Sequence, residues 1–209
     1  MSNMADVLTN PDRFFAELSG RDVSLKTPAG IVLIVATITA ISLAMMFSAT
    51  APTLPEEAAA ISGMSDMFPV ICVITGLLVP FIMWPLYTGV FYVISIFFGG
   101  EGSFKRCLEF VGYGFIPIIV SSLIGLAIFI TMPPAIDFSS VDHRFTEQTL
   151  MQDPSMQVST IIGIPLLLWS ANIWVFAVKH ARNLSTRNAL ITVGVPVGLY
   201  LLYSISMLI

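Results

Sequence analysis

Five stretches without a single acidic or basic residue or histidine fill most of this 209-residue chain: 27–55, 67–100, 110–136, 154–178 and 188–209. A hydrocarbon core of about 30 Å needs roughly 20 apolar residues in a helix, and each stretch reaches that length. Buried helices of soluble proteins seldom run so far without a charge. The chain therefore reads as an integral membrane protein of the all-α class, a polytopic bundle of five transmembrane helices. A hydrophobic share of 56% against 11% charged residues fits that class. The division expected is a cytoplasmic segment over residues 1–27, with a short amphipathic helix, and a membrane domain over residues 28–209. Too little chain remains for a separate soluble domain.

Charge sets the expected orientation, because Lys and Arg are retained in cytoplasmic loops. Arg13, Arg21 and Lys26 precede the first stretch, Lys105 and Arg106 follow the second, and Lys179, Arg182 and Arg187 follow the fourth. The loops after the first and third stretches hold only Arg144 among bases, with Glu56, Glu57, Asp66, Asp137, Asp142, Glu147 and Asp153 as acids. This alternation puts the N-terminus inside and the C-terminus outside. Two spans in the second stretch would leave no turn between them and would invert every later loop. One long span containing Pro80 and Pro85 is the better reading.

Local signals fill in the elements. Asn10 caps a short helix whose first position is Pro11. Phe14, Phe15 and Leu18 share one side of it, expected on the inner leaflet or against the bundle. Ser103 and Ser185 cap helices at the two basic turns. Ala36, Ala40, Ala44 and Ser48 form a small-residue face on the first span, and Gly194 and Gly198 another on the fifth. Both faces predict close helix approach, within the bundle rather than between protomers. The cysteines, Cys72 and Cys107, read as packing residues, not a redox pair.

Reactive chemistry is sparse. Without intramembrane ionisable groups, proton relays, voltage sensors and ion-coupled pumps are disfavoured. Asn172 is the one amide well inside a span, expected to bond a neighbouring helix, with substrate contact the lesser alternative. Trp84 and Trp169, near mid-span, read as helix packing, or as lining of a cavity. Asp137, Asp142, His143, Glu147 and Asp153 match no metal-ligand spacing and read as a solvated acidic loop. No phosphate-binding loop, zinc-protease motif or nucleophile elbow occurs. No cofactor, metal, enzymatic activity or nucleic-acid partner is expected.

The run Phe97-Phe98-Gly99-Gly100-Glu101-Gly102-Ser103-Phe104-Lys105-Arg106, continuing to Val111-Gly112-Tyr113-Gly114-Phe115-Ile116-Pro117, resembles the Yip1 domain family. So do Trp169 through Trp174 to Lys179-His180-Ala181-Arg182-Asn183-Leu184-Ser185-Thr186, and Asn10-Pro11 with Phe14, Phe15 and Leu18. The resemblance implies five spans with the N-terminus in the cytoplasm, and a role in membrane traffic. It also implies association with prenylated Rab-type GTPases and with other family members. This chain lacks the long N-terminal region of many such members, which argues against a GTPase partner. It is more similar to short archaeal and bacterial members, implying the plasma membrane of a prokaryote. The expected function is therefore a non-catalytic membrane-organising or partner-binding component, trafficking-related, meeting membrane lipid, other membrane proteins or itself. The alternative is a small transporter or channel. The candidate partner- or lipid-binding residues are Phe14, Phe15, Lys105, Arg106, Lys179 and Arg182, on one cytoplasmic surface.

Overall fold

The computed structural model describes residues 4–50, 67–132 and 153–206, and all its regular structure is helical. Two short helices, α1 (Asp6–Thr9) and α2 (Pro11–Ser19), precede α3 (Lys26–Thr50) and α4 (Phe68–Ile96). They are followed by α5 (Phe104–Tyr113), α6 (Ile116–Thr131), α7 (Pro154–Ala181) and α8 (Thr186–Ser206). Helix starts follow local chemistry. The side chains of Asn10, Ser103 and Ser185 accept from the backbone N–H of Arg13, Arg106 and Asn188, at 3.3, 3.2 and 3.2 Å. Each removes one orphan donor from a first turn.

Helices α3, α4, α7 and α8 are long and apolar enough to cross a membrane, and α5 with α6 is a fifth span if that bent pair counts as one. The molecule is a helical membrane bundle. Helix α4 runs unbroken through Pro80 and Pro85. The third stretch differs from its sequence reading. It does not start a straight helix at Phe110, because α5 and α6 meet at a 43° bend. Phe110 to Tyr113 belong to α5, an amphipathic helix that buries Cys107, Glu109, Phe110 and Val111. An unbroken charge-free run hides this break, since hydropathy carries no signal for a bend.

The packed core lies at one end of the bundle. It joins the starts of α3 and α8, the ends of α4 and α7, all of α5, and one face of α1–α2. Eight of the nine Lys and Arg side chains belong to this end, hereafter the basic end. Helices α3 and α4 form the most extensive pair. Their closest approach is at Ala40, where a Cβ added to Gly76 would lie 2.4 Å from the Ala40 Cα. The small-residue face of α3 thus packs as expected. That of α8 does not, for a Cβ on Gly194 or Gly198 would meet nothing within 4 Å.

Candidate functional site

The residues that carry the sequence motifs converge at the basic end, where they tie three turns together. The first tie fixes the N-terminal segment. Glu109, 1% exposed, sits on α5 one turn after Arg106, a spacing at which helix side chains meet. Arg106 Nη1 donates to Glu109 Oε2 at 2.9 Å, and the backbone N–H of Ser24 donates to Glu109 Oε1 at 3.0 Å. The other Arg106 nitrogen donates to the Arg21 carbonyl, and its guanidinium lies 5.4 Å from the centre of the Phe110 ring. A buried carboxylate needs such a partner, because isolated it would lose its hydration without return.

The second tie joins the α4–α5 turn to the end of α7. Arg182, 3% exposed, donates through Nε to Ser95 Oγ at 2.9 Å and through its two terminal nitrogens to the carbonyls of Gly102 and Gly100. Its guanidinium stacks 4.0 Å from the centre of the Tyr92 ring, a cation–π arrangement. In return the Glu101 N–H donates to the Arg182 carbonyl at 2.9 Å. The glycines follow from this geometry. Gly102 has φ +129°, and a Cβ there would lie 2.3 Å from the Ala181 carbonyl oxygen, so no other residue fits.

The third tie holds α2 against α7. Asp12 Oδ1 accepts from Lys179 Nζ at 2.7 Å and lies 2.6 Å from His180 Nε2. The Lys179 hydrogen bond, followed by that of His180, holds the Asp12 carboxyl below its usual range.

Two indoles brace the α5–α6 bend. Trp84 Nε1 on α4 donates to the Leu108 carbonyl at 2.8 Å, and Trp174 Nε1 on α7 donates to the Val111 carbonyl at 2.9 Å. The Val111 carbonyl also accepts from the Gly114 N–H at 3.1 Å, so there the indole is a second donor to an oxygen with two lone pairs. The rings fit only because Gly112 and Gly114 lack side chains: an added Cβ would lie 3.0 Å from Trp84 Nε1 and 2.1 Å from Trp174 Nε1, respectively.

The candidate residues therefore do not form one open surface. Phe14 and Phe15, assigned to lipid or partner binding on a helix expected on the inner leaflet or against the bundle, take the second place, packed inside on each other and on Phe110 and Tyr113 at ring separations of 5.0–6.1 Å. The apolar side of α2 meets the apolar side of α5, not the membrane. Arg106, Lys179 and Arg182 make the ties above, and Lys105 alone of the four cations is exposed. Asn172, expected to bond a neighbouring helix, is instead exposed on the outer side of α7. One turn away on that side, Trp169 donates to the Leu8 carbonyl at 3.3 Å.

Glu109, Asp12 and Ser95 were not singled out by sequence reasoning, and Trp174 entered only through the family resemblance. Only the Arg106–Glu109 spacing signalled one of them. Both cysteines are free. Among the described residues no group of His, Cys, Asp or Glu could hold a metal. His143 and its acidic neighbours lie outside the described residues, except Asp153, which caps α7 by accepting from the Ser155 N–H at 2.9 Å.

An uncharacterized protein of Methanocaldococcus jannaschii, MJ0794, is 38% identical over 128 residues, covering 61% of this chain and 89% of that protein. No solved structure matches the chain. The Yip1 domain model matches residues 5–208, from α1 to the end of α8, and includes every tie described above. The chain belongs to the Yip1 domain family.

Proposed function

We propose that this protein is a non-catalytic, membrane-organising component, trafficking-related in the sense its family resemblance implies, which binds other membrane proteins or lipid at its basic end. That end faces the cytoplasm of a prokaryotic plasma membrane, with the N-terminus inside and the C-terminus outside, since basic segments are retained there. The observation carrying the reading is the division of labour among the cations. Arg106, Lys179 and Arg182 are engaged within the chain. The ties leave a firm platform from which Lys105, Arg187 and the rings of Phe97 and Phe104 project, Phe97 being 83% exposed. Apolar rings beside isolated cations suit a membrane interface or a protein partner with an acidic rim. Among the four assigned cations, recognition falls to Lys105 and shape to the others.

A photo-crosslinking amino acid at Lys105 or Phe97 tests this in intact cells, with Leu202 on the outer side of α8 as the lipid-facing control. The expected result is a discrete protein-sized adduct, with another membrane protein or a second copy, from Lys105 or Phe97 and none from Leu202. No protein adduct above the Leu202 background at either position would overturn protein binding at this end and leave lipid as its only ligand.

A further inference from the structure

Helix α7 has 28 residues, but only its first part meets the surroundings. Val158, Ile161, Pro165 and Leu168 are exposed, then Trp169 and Asn172, and from Ile173 to Arg182 no residue is. An apolar run that ends in an indole and then an amide is the order met on leaving hydrocarbon for headgroups. Beyond Asn172 the helix is wrapped by α2 and α5. The exposed residues of α2 are Arg13, Ala16 and Ser19, a surface with no large apolar group for a lipid tail to cover.

Two other elements change character at the same level. On α3 the exposed residues begin with Lys26 and Thr27, and large apolar ones follow only at Leu33 and Ile34. Pro28 packs on the end of α5, where a Cβ on Gly112 would lie 2.5 Å from the Pro28 Cβ. Two residues on, at the α5–α6 bend, Gly114 makes room for Trp174 of α7. The charged start of α3, the bend and the Trp169–Asn172 turn therefore share one depth. From that depth to the far end, α6 has 16 residues, about 24 Å, and α7 back to Pro154 measures about 22 Å. Asp153, the cap of α7, ends that length with a charge. Both lengths fall short of a hydrocarbon core of about 30 Å. Helix α4, which scarcely touches α7, is not short: Val90, Val93 and Ile96 stay exposed to its end.

We propose that the α6–α7 side of the protein thins the bilayer beside it. There α1, α2 and α5 take the place of lipid in the leaflet at the basic end, and the edge of the hydrocarbon lies at Trp169. The partner of this side is the lipid itself, with short chains preferred over long ones. A hydrophobic side shorter than the bilayer is accommodated by local thinning. Because α4 keeps its full apolar length, the thinning is one-sided. The proposal rests on the burial pattern of α3, α6 and α7 and is independent of what the basic end binds.

Depth-resolved fluorescence quenching tests it. Ile161 lies at the midplane if the lipid-facing length of α7 ends at Trp169, and Leu168 if all of α7 spans. Both side chains are exposed. Ile161→Cys and Leu168→Cys, each in the Cys72→Ala protein with Cys107 buried, carry a fluorophore in phosphatidylcholine vesicles. The lipid bears a nitroxide either near the headgroup or near the chain end. Ile161 is expected to be quenched more strongly by the chain-end nitroxide and Leu168 by the headgroup one. In equal mixtures of short-chain and long-chain lipid, the Leu168 probe should be quenched more when the short chains carry the nitroxide. Trp169 gives a second reading without a label, as the share of brominated-lipid quenching that Trp169→Phe removes. That share should be larger for bromine near the headgroup than at the chain end. Stronger chain-end quenching at Leu168 than at Ile161, or equal quenching of Leu168 by short and long chains, would overturn the proposal.

Discussion

At the residue scale, the two buried arginine sites show why a basic turn can have a structural rather than a topological reason. For topology alone, Lys would serve as well as Arg. At position 182 it would not. Three nitrogens of a planar fork meet Ser95, Gly100 and Gly102 while the plane stacks on Tyr92, and an ammonium cannot reproduce that. Arg182→Lys is expected to insert in the same orientation but to lose about 1.5–3 kcal/mol, the worth of a hydrogen bond to a charged group. Thermal unfolding in detergent, with topology checked separately, reads this. Unchanged stability would mean that the fork is not needed. Asp12 supplies a pH signature. Its folded pKa is depressed by Lys179 and His180, so the tie stabilises above the usual carboxylate value and weakens as pH falls through the folded one. Proteolysis of the N-terminal segment should rise below about pH 4. Asp12→Asn should show the faster cleavage already at pH 7. Identical pH profiles for both proteins would contradict the tie.

At the element scale, short-range chemistry was legible and long-range pairing was not. The caps at Asn10, Ser103 and Ser185 are local, and so are the apolar lengths of α3, α4, α7 and α8. The Ala40 face was readable, but its partner Gly76 was not, because one sequence does not say which helix lies opposite. Glu109 and Ser24 are separated by 85 positions, and Arg182 and Ser95 by 87. Nothing in composition or periodicity links such pairs. For the side of Phe14 and Phe15 the inner leaflet and the bundle stayed open as alternatives, because an apolar helix side looks the same whether it meets lipid or α5. The two glycine-bearing sides give a direct contrast. Ala40→Leu is expected to overpack the α3–α4 contact and cost about 1–3 kcal/mol, whereas Gly194→Leu enters open space and should leave packing unchanged. Comparing their melting temperatures in one detergent tests this. Equal temperatures would place the α3 side on lipid.

At the scale of the whole molecule, the ties among the described residues are concentrated at one end of the bundle. The fastened end gathers α1, α2, α5 and both basic turns through Glu109, Arg182, Asp12 and the two indoles. A groove between α4, α6, α7 and α8 runs from there along the bundle. This polarity gives the family motifs one physical meaning: their glycines, arginines and tryptophan are the parts of the fastening. The residues left to project from it are Lys105, Arg187, Phe97 and Phe104, the ones proposed for recognition. The span count followed from charge-free length, but the bend between α5 and α6 did not. It depends on Gly114 making room for Trp174 from a helix 60 residues further on.

The central claim is that the N-terminal helices and both basic turns form one tied end of the bundle on one side of the membrane. Single cysteines at Arg13, Lys105 and Arg187, all exposed, and at Ile209 test it most directly, in oriented vesicles probed with a membrane-impermeant maleimide. Cys72→Ala and the burial of Cys107 keep the background low. The account predicts that the first three positions react from the cytoplasmic side and Ile209 from the other. Labelling of Arg13 from the side opposite Lys105 or Arg187 would contradict it.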